Sequence, residues 1–385
     1  MIDRRRMIGG SIALAGGAAL PGTAALAAPR QPVINPIRLS GNRVVIDAMV
    51  NGKGPYSFIL DTGGTVSFIE KEFAKGVPLA SRDGRPIVGV GHQVASHDWY
   101  VANEVRLASG VRFRNMQFAG IAKHLGQQTV GSFGAGLFTT YDSDLDFVKG
   151  EWRAYTDGRG DFDGLTLLPS QMLIEPNGRR LLLDTSIDGF AAELMVDTGA
   201  PGLSLNARSA AKSGLWESGK PYAPTRALGI GDGDGLPARI YRSGEVRFGP
   251  FTFKDELVTV DRPGSLTNGK QDGIIGLSIL SQLHLTTDVS RGKLYAAPNG
   301  RQAEDRRYPL SGLWIDEVKG RPTVTDVGIG SPAAKAGLQQ GDVLLGGDLA
   351  AMVRAIGGGP GRQVSLRVQR GNAQQDVSYA LAPWL

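Results

Sequence analysis

An internal duplication constrains the fold of this 385-residue chain more than any other feature. Residues from about 37 to 157 and from about 172 to 297 carry the same series of apolar runs, turn residues and glycines in the same order. The best-matched stretches are Val44 to Asp47 with Leu181 to Asp184, Phe58 to Gly63 with Leu194 to Gly199, and Glu104 to Leu107 with Glu245 to Phe248. Such a repeat predicts two similar lobes packed about a pseudo-twofold axis, which brings equivalent loops face to face.

Each copy has the pattern of a β-rich lobe. Short apolar or alternating runs are separated by Asn-Gly, Asp-Gly and Gly-Pro turn signals, with little helical periodicity beyond two turns. The 55 glycines suit a protein with many tight turns. We therefore expect a mainly β fold with one lobe at residues 37–160 and a second at 161–299.

Residues 1–27 have the composition of an export signal. Arg4, Arg5 and Arg6 precede an apolar run rich in Ala and Gly, which ends in the small-x-small site Ala25-Leu26-Ala27. The paired arginines resemble a twin-arginine signal. A short membrane anchor is the alternative, but Gly and Pro interrupt the run. We expect a periplasmic or otherwise exported protein with no stable membrane span after signal removal.

Composition excludes several classes of function. The net charge is +5, and loss of the predicted signal would leave +3, which is too small for a nucleic-acid-binding surface. The chain has no cysteine, so disulfide bonds and cysteine nucleophiles are excluded. The four histidines, at positions 92, 97, 124 and 284, have no metal-ligand spacing, so we predict neither a metal nor another cofactor.

Asp61 and Asp197 occupy equivalent positions at the ends of apolar strands, where a carboxylate is unfavourable unless its charge is shared or hydrogen-bonded. Two carboxyls within hydrogen-bond reach share one proton, so the pair supplies both a general acid and a general base. Each is followed by Thr, whose hydroxyl can bond across to the partner loop, and by Gly, which permits a sharp turn. We predict the catalytic pair Asp61 and Asp197 with the supporting residues Thr62, Gly63, Thr198 and Gly199.

The two loops, Asp61-Thr62-Gly63-Gly64 and Asp197-Thr198-Gly199-Ala200, resemble the catalytic loops of the retropepsin and pepsin clan of aspartic proteases. The family's apolar-apolar-Gly element is matched by Ile274-Ile275-Gly276 and only partly by Ser132-Phe133-Gly134, and Gly64 stands where Ser or Ala is common. The resemblance implies a pepsin-like bilobal fold and an endopeptidase acting on protein or peptide substrates. A complete pair in one chain implies a monomer.

The resemblance also implies β-hairpin flaps over the substrate. The first candidate flap spans Ile87 to Tyr100 and its equivalent spans Leu228 to Tyr241. The predicted substrate-binding residues are Trp99, Tyr100 and Tyr241, although both hairpins could equally be solvent-exposed hairpins with aromatic anchors.

Two alternatives compete with proteolysis. Leu60 to Thr65 also resembles the phosphate loop of actin-like sugar kinases and ATPases, a fold that needs long helices between its strands. A catalytically silent peptide-binding scaffold of the protease fold is the second alternative, because Gly64 and the imperfect element at Ser132 could reflect lost activity.

A further domain is predicted at residues 308–385, after a polar linker at 300–307. The stretches Gly330 to Leu338 and Gly341 to Leu344 resemble the core of a bacterial protease-associated PDZ domain. The resemblance implies a small α+β fold that binds a C-terminal peptide ligand beside its first strand. The candidate peptide-binding residues are Gly312, Leu313, Trp314 and Ile315, with a helix at Leu349 to Ile356 and a strand at Val364 to Val368. The alternative is a module that only packs against the lobes.

Overall fold

The computed structural model describes residues 31–88, 94–122, 124–126, 128–175, 178–227, 235–265, 270–302 and 307–385. The predicted export signal lies outside these residues, as do the tips of both predicted flaps, 89–93 and 228–234. Across the described ranges no helix is longer than eight residues, and none is long and apolar enough to cross a membrane. The prediction of a mainly β fold is confirmed, and such short helices do not fit the actin-like alternative.

The first lobe is built from hairpins and two short helices. Its elements are β1 (Val33–Ser40), β2 (Arg43–Val50), β3 (Lys53–Leu60), β4 (Phe68–Glu70), α1 (Lys71–Lys75), β5 (Ala80–Val88), β6 (Val94–Leu107), β7 (Arg112–Ile121), β8 (Thr129–Phe133), α2 (Gly136–Thr139), β9 (Asp142–Asp146) and β10 (Glu151–Tyr155).

The second lobe repeats this order. Its elements are β11 (Thr166–Leu167), β12 (Ser170–Glu175), β13 (Gly178–Ile187), β14 (Phe190–Val196), β15 (Leu203–Leu205), α3 (Ala207–Ser213), a 3₁₀ helix (Leu215–Glu217), β16 (Ala223–Ala227), β17 (Leu236–Arg242), β18 (Glu245–Phe248), β19 (Phe251–Lys254), β20 (Leu257–Asp261), β21 (Gly273–Ile275), α4 (Leu277–Leu280), β22 (Leu283–Asp288) and β23 (Lys293–Pro298).

The pairing of strands is the same in both lobes. β3 lies parallel to β8 as β14 lies parallel to β21, and β4 is antiparallel to β8 as β15 is to β21. β4 is also parallel to β7, as β15 is to β20. Residues far apart in sequence therefore meet in equivalent ways, which confirms the predicted duplication of β lobes.

A shared sheet joins the lobes. Its described strands run in the order β11, β23, β22, β9, β10 and β1, and the junction is the antiparallel pair β9 and β22, where Leu145 faces Leu285. Both leucines are buried in a hydrophobic core that extends through the two lobes. Burial of one large apolar side chain contributes about 1.5 to 3 kcal/mol to stability. The shared core therefore holds the lobes in one arrangement.

The C-terminal module is a small α+β unit. Within the continuously described stretch 307–385, five strands form an antiparallel sheet in sequence order: β24 (Leu313–Val318), β25 (Arg321–Val327), β26 (Val343–Leu345), β27 (Gln363–Arg370) and β28 (Ala373–Ala380). Two helices, α5 (Pro332–Lys335) and α6 (Leu349–Ile356), accompany it. Asp348 caps α6 by accepting a hydrogen bond from the Ala351 N–H. The predicted helix is confirmed at its stated bounds, and the predicted strand at Val364 lies within β27.

The module packs against the second lobe. The Tyr222 hydroxyl donates to Asp326 Oδ1 at 2.7 Å, and Arg226 Nη2 lies 2.8 Å from Asp316 Oδ2. The carboxyl-terminal residues Trp384 and Leu385 pack beside a small apolar cluster of the second lobe, Ala223, Ile240 and Leu257. Polar and apolar contacts thus fix the module on the β16–β17 hairpin.

Candidate active site

The two Asp-Thr-Gly loops have the same backbone support. The Asp61 N–H donates to Phe133 O at 2.9 Å, and the Asp197 N–H donates to Ile275 O at 3.0 Å. Just beyond, Ala135 N donates to Gly64 O and Leu277 N donates to Ala200 O. The Ser132-Phe133-Gly134 element, which fits the family pattern only in part, therefore supports its loop as Ile274-Ile275-Gly276 supports the other.

The threonines of the loops join the lobes. The Thr62 N–H donates to Thr198 Oγ1 at 3.3 Å, and the Thr198 N–H donates to Thr62 Oγ1 at 3.0 Å. The hydroxyls donate in turn to main-chain carbonyls of the opposite lobe, Thr62 to Val196 and Thr198 to Leu60. Every one of these bonds crosses the lobe boundary, so the two loops form one buried network.

The glycines of the loops leave room for the opposite carboxyl. A Cβ atom on Gly63 would lie 2.5 Å from Asp197 Oδ2, and one on Gly199 would lie 3.0 Å from Asp61 Cγ. Real Cβ contacts are essentially never as short as 2.5 Å, so the first loop needs glycine at position 63, and a side chain at position 199 would require Asp61 to shift. The structure thus brings together all six predicted residues of the pair and its support.

Asp61 receives several stabilising contacts. Its Oδ1 accepts hydrogen bonds from the Gly63 N–H at 3.0 Å and the Gly64 N–H at 2.8 Å. Burial raises the pKa of Asp61, while the two N–H groups, a hydrogen bond with Asp197 and the charge of Arg43 oppose that rise. Gly64 supplies no hydroxyl, but its N–H serves the carboxylate directly.

Asp197 is the more buried member of the pair, with 9% of its surface exposed. Its Oδ1 accepts a hydrogen bond from the Gly199 N–H at 2.7 Å. Burial raises the pKa of Asp197 well above its usual range, and the negative charge of Asp61 raises it further. The two carboxyls therefore titrate as a pair that shares one proton, and the surroundings of Asp197 favour its protonated form more strongly than those of Asp61 favour the protonated form of Asp61.

The flap candidates of the first lobe lie on β6. Trp99 packs beside the buried cluster of Phe68, Ala119 and Ile121. Phe68 lies on β4, just after the first Asp-Thr-Gly loop. Tyr100 points to the other face of the strand and packs on the main core, close to Gly120. Trp99 therefore lies on the face of β6 that packs near the first Asp-Thr-Gly loop, whereas Tyr100 anchors the hairpin to the main core.

Tyr241 does not suit a substrate-binding role. It is 2% exposed and belongs to the core, where its ring lies 5.8 Å from that of Tyr222 and its hydroxyl donates to Trp216 O at 3.4 Å. The prediction for Tyr241 was wrong on this point, because packing beneath the second hairpin turns its ring inward.

The peptide-binding candidates of the module are partly engaged by other contacts. Leu313 and Ile315 are buried in the module core. The Gly312 N–H donates to Pro309 O and the Leu313 N–H donates to Ser311 Oγ, so neither is free for a terminal carboxylate. The Trp314 ring lies 5.5 Å from the Arg226 guanidinium of the second lobe. The N–H groups of Gly312 and Leu313 are thus satisfied within the module, and peptide binding by this loop stays a prediction.

Two arginines near the pair were missed by the sequence predictions. Arg43 Nε donates to Gly199 O at 3.1 Å, and Arg180 Nη1 donates to Gly63 O at 3.4 Å. Both immediately precede the matched runs Val44 to Asp47 and Leu181 to Asp184. Extending the repeat by one residue would have identified them.

The arrangement can perform acid–base chemistry on a polar bond held between the carboxyls. The pair shares one proton, with Asp197 buried and Asp61 half-buried. Among the described residues, no group of three or more His, Asp or Glu side chains has the geometry of a metal site.

A family model described as aspartyl protease matches this chain at residues 46–136 and 183–279. The two segments contain both Asp-Thr-Gly loops and the glycines beneath them, Gly134 and Gly276. The chain thus carries two consecutive aspartyl-protease-like segments, one in each lobe.

Among solved structures, the aspartic proteinase from Irpex lacteus is similar at 14% identity and a TM-score of 0.45, covering 70% of this chain and 99% of that one. Basic 7S globulin from soybean is similar at 12% identity and a TM-score of 0.39, covering 70% of this chain and 97% of that one. No curated protein matches the chain.

Proposed function

We propose that this protein is an aspartic endopeptidase that hydrolyses peptide bonds of protein substrates with a water activated between Asp61 and Asp197. The observation that carries the proposal is the asymmetric carboxyl pair within the cross-lobe threonine network. The match of both lobes to an aspartyl protease family supports it.

The first step is addition of water to the peptide carbonyl. The Asp61 carboxylate takes a proton from the water as its oxygen bonds to the carbonyl carbon, while Asp197 gives its proton to the carbonyl oxygen. The product is a neutral gem-diol. The N–H groups of Gly63 and Gly64 hold the Asp61 carboxylate in place for this transfer.

The second step breaks the carbon–nitrogen bond. Asp61 gives its newly gained proton to the amide nitrogen, and Asp197 recovers a proton from one hydroxyl of the gem-diol as the amine leaves. The acid and amine products depart with the pair restored to one shared proton. No covalent intermediate with the protein forms.

We also propose that the protein is exported and monomeric, and that its C-terminal module is a PDZ-type unit that recruits peptide segments at the β24 edge. The amino-terminal composition supports export, and the presence of both aspartates in one chain supports the monomer. The position of β24 at the sheet edge supports peptide addition.

The test is cleavage of an unfolded protein by residues 28–385 between about pH 4 and pH 7. The parent is compared with Asp61→Asn, Asp197→Asn and the control Asp47→Asn, which removes a surface carboxylate paired with Arg38. We expect cleavage to disappear in the first two and persist in the control. A parent that binds unfolded peptides without cutting them at any pH would instead favour the silent scaffold.

A further inference from the structure

Arg43 and Arg180 occupy equivalent positions in the two lobes. Arg43 begins β2 opposite Ser40, and Arg180 lies near the start of β13 opposite Leu173. Each belongs to the first hairpin of its lobe, β1–β2 or β12–β13, and each precedes a buried apolar run. The repeat has therefore placed a long cation at the same point twice.

Each arginine reaches the opposite lobe. Arg43 contacts the Gly199 carbonyl of the second Asp-Thr-Gly loop, and Arg180 contacts the Gly63 carbonyl of the first. The N–H of each of these glycines donates to the preceding aspartate, Gly199 to Asp197 and Gly63 to Asp61. Each arginine thus holds the peptide segment that orients the carboxyl of the other lobe.

The hairpins reinforce these contacts. Asn42 Nδ2 donates to Pro201 O at 3.0 Å, and the Val44 N–H donates to Thr198 O at 3.3 Å. On the other side, a Cβ on Gly178 would lie 3.6 Å from Thr65 Cγ2, so the β12–β13 hairpin approaches the first loop. The arginine contacts are parts of reciprocal docking between hairpins and loops.

The two arginines differ in their remaining partners. Arg180 pairs with Glu175, whereas Arg43 donates to the Leu125 carbonyl and has no carboxylate within ion-pair distance among the described residues. The other charged groups that act on Asp61 or lie beside the two arginines are Asp197, Glu175 and the Glu70–His124 pair, whose Glu70 accepts from the Leu125 N–H. Arg43 is the cation whose charge remains uncompensated there.

We propose that Arg43 and Arg180 are positioning residues of the aspartate pair, each fixing from one lobe the Asp-Thr-Gly loop of the other. The inference rests on the proposed proteolytic function. The guanidinium donates through directed N–H groups, so it fixes the orientation of a carbonyl better than the single ammonium of lysine. A displacement of reacting groups by about 1 Å costs up to about a hundredfold in rate.

The experiment compares Arg43→Gln, Arg43→Lys and the charge-balanced double variant Arg180→Gln/Glu175→Gln with the parent. Arg38→Ala on the first hairpin is the control, because Arg38 pairs with Asp47 away from the loops. We expect kcat to fall about ten- to hundredfold in all three test variants, with KM changed less, and to stay near the parent value in the control. Thermal unfolding establishes that each variant is folded.

The pH dependence of kcat/KM distinguishes the effect of the Arg43 charge on the aspartate pair from a general loss of activity. Arg43→Gln removes a cation that favours ionised Asp61, so the acidic limb of the kcat/KM profile moves to higher pH. Arg43→Lys and the double variant keep the local charge, so their acidic limbs stay in place while kcat falls. Unchanged kcat in folded variants, or an equal loss in Arg38→Ala, would overturn the proposal.

A second readout does not need catalysis. ¹³C NMR of labelled aspartate carboxyls, assigned with Asp61→Asn and Asp197→Asn, follows the titration of the pair directly. In Arg43→Gln, we expect the lower of the two titration midpoints of the pair to move to higher pH. In Arg43→Lys and the double variant, we expect both midpoints to stay at their parent values. If the parent fails to cleave but the titrations follow this pattern, the proposed function fails while the effect of Arg43 on the carboxyl pair stands. Identical titrations in parent and Arg43→Gln would refute the role.

Discussion

Thr62 and Thr198 are joined by two hydrogen bonds across the lobe boundary. The main-chain N–H of Thr62 donates to the Thr198 hydroxyl oxygen at 3.3 Å, and that of Thr198 donates to the Thr62 hydroxyl oxygen at 3.0 Å. Both side chains are almost completely buried, Thr62 at 1% and Thr198 at 0% exposure. Because these bonds join the loops that carry Asp61 and Asp197, the buried junction between the lobes sets the distance between the two aspartates. Several consequences for stability and activity can be measured.

Replacement of Thr198 by valine keeps the shape of the side chain but removes its hydroxyl. The Thr62 N–H and the Leu60 carbonyl then lose a buried partner, and each such loss costs about 1 to 3 kcal/mol. We expect Thr198→Val to lower the free energy of unfolding in urea by that order and to reduce kcat. Thr252→Val, at an exposed position, is the control and should change neither. Equal stability of the two variants would contradict the network.

The stability of the protein should depend on Asp197 with a definite sign. Burial raises the pKa of Asp197 in the folded state, so folding favours its protonated form. Its stabilising effect is complete below the ordinary carboxyl pKa of about 3.9 and is lost as pH rises towards the raised folded value. Asp197→Asn should therefore stabilise the fold more at pH 7 than at pH 3. A pH-independent difference in urea midpoints would refute this assignment of the proton.

Asp144 should contribute in the opposite pH direction. It lies in the shared sheet with 1% exposure, accepts from Thr286 Oγ1 at 2.8 Å and lies 3.0 Å from Arg159 Nε. Burial alone would raise the pKa of Asp144, but hydrogen bonding with His284 and the charge of Arg159 lower it overall. Its contribution is therefore present above about pH 4 and lost as pH falls through the depressed folded value.

Asp144→Ala leaves the half-buried Arg159 guanidinium without its carboxylate and the Thr286 hydroxyl without its acceptor, and should cost up to about 3 to 5 kcal/mol at neutral pH. The deficit should shrink on acidification, as followed by urea unfolding from pH 7 to pH 3. The exposed pair Arg367–Asp376 provides the comparison, since water screens this pair and Asp376→Ala should leave the free energy of unfolding nearly unchanged. A deficit that stays constant with pH would show that Asp144 acts by packing alone.

Tyr222 should determine how firmly the module is held. Its hydroxyl donates to Asp326 and to Val327 O, and burial raises its pKa strongly. Tyr222→Phe removes a hydrogen bond to a carboxylate, worth about 1.5 to 3 kcal/mol. We expect faster amide hydrogen exchange across β24 and β25, measured by mass spectrometry. Tyr141→Phe, outside this interface, should leave that exchange unchanged, and unchanged exchange in Tyr222→Phe would show that the other contacts suffice.

Local features of the sequence predicted much of the fold. The repeat located both lobes, and turn residues with apolar runs indicated the strands that end at Asp61 and Asp197. Helix α6 was predicted at its bounds from the resemblance to a PDZ core, and the structure shows its Asp348 cap directly before it and Gly357 directly after it. The aspartates were identifiable because an Asp-Thr-Gly loop follows an apolar strand in each copy of the repeat.

Contacts across the molecule were decided only by the tertiary structure. The alternation of a strand does not state which face is buried, so Tyr241 entered the core although its aligned partner Tyr100 is half-buried in the other lobe. The bonds of Arg43 to Gly199 and Arg180 to Gly63 join residues more than a hundred positions apart. Sequence by itself determined the repeated strands, turns and Asp-Thr-Gly loops, because these follow from local backbone preference and periodicity. Packing decided the direction of each side chain and the contacts between the lobes, because only the assembled core fixes which distant groups meet.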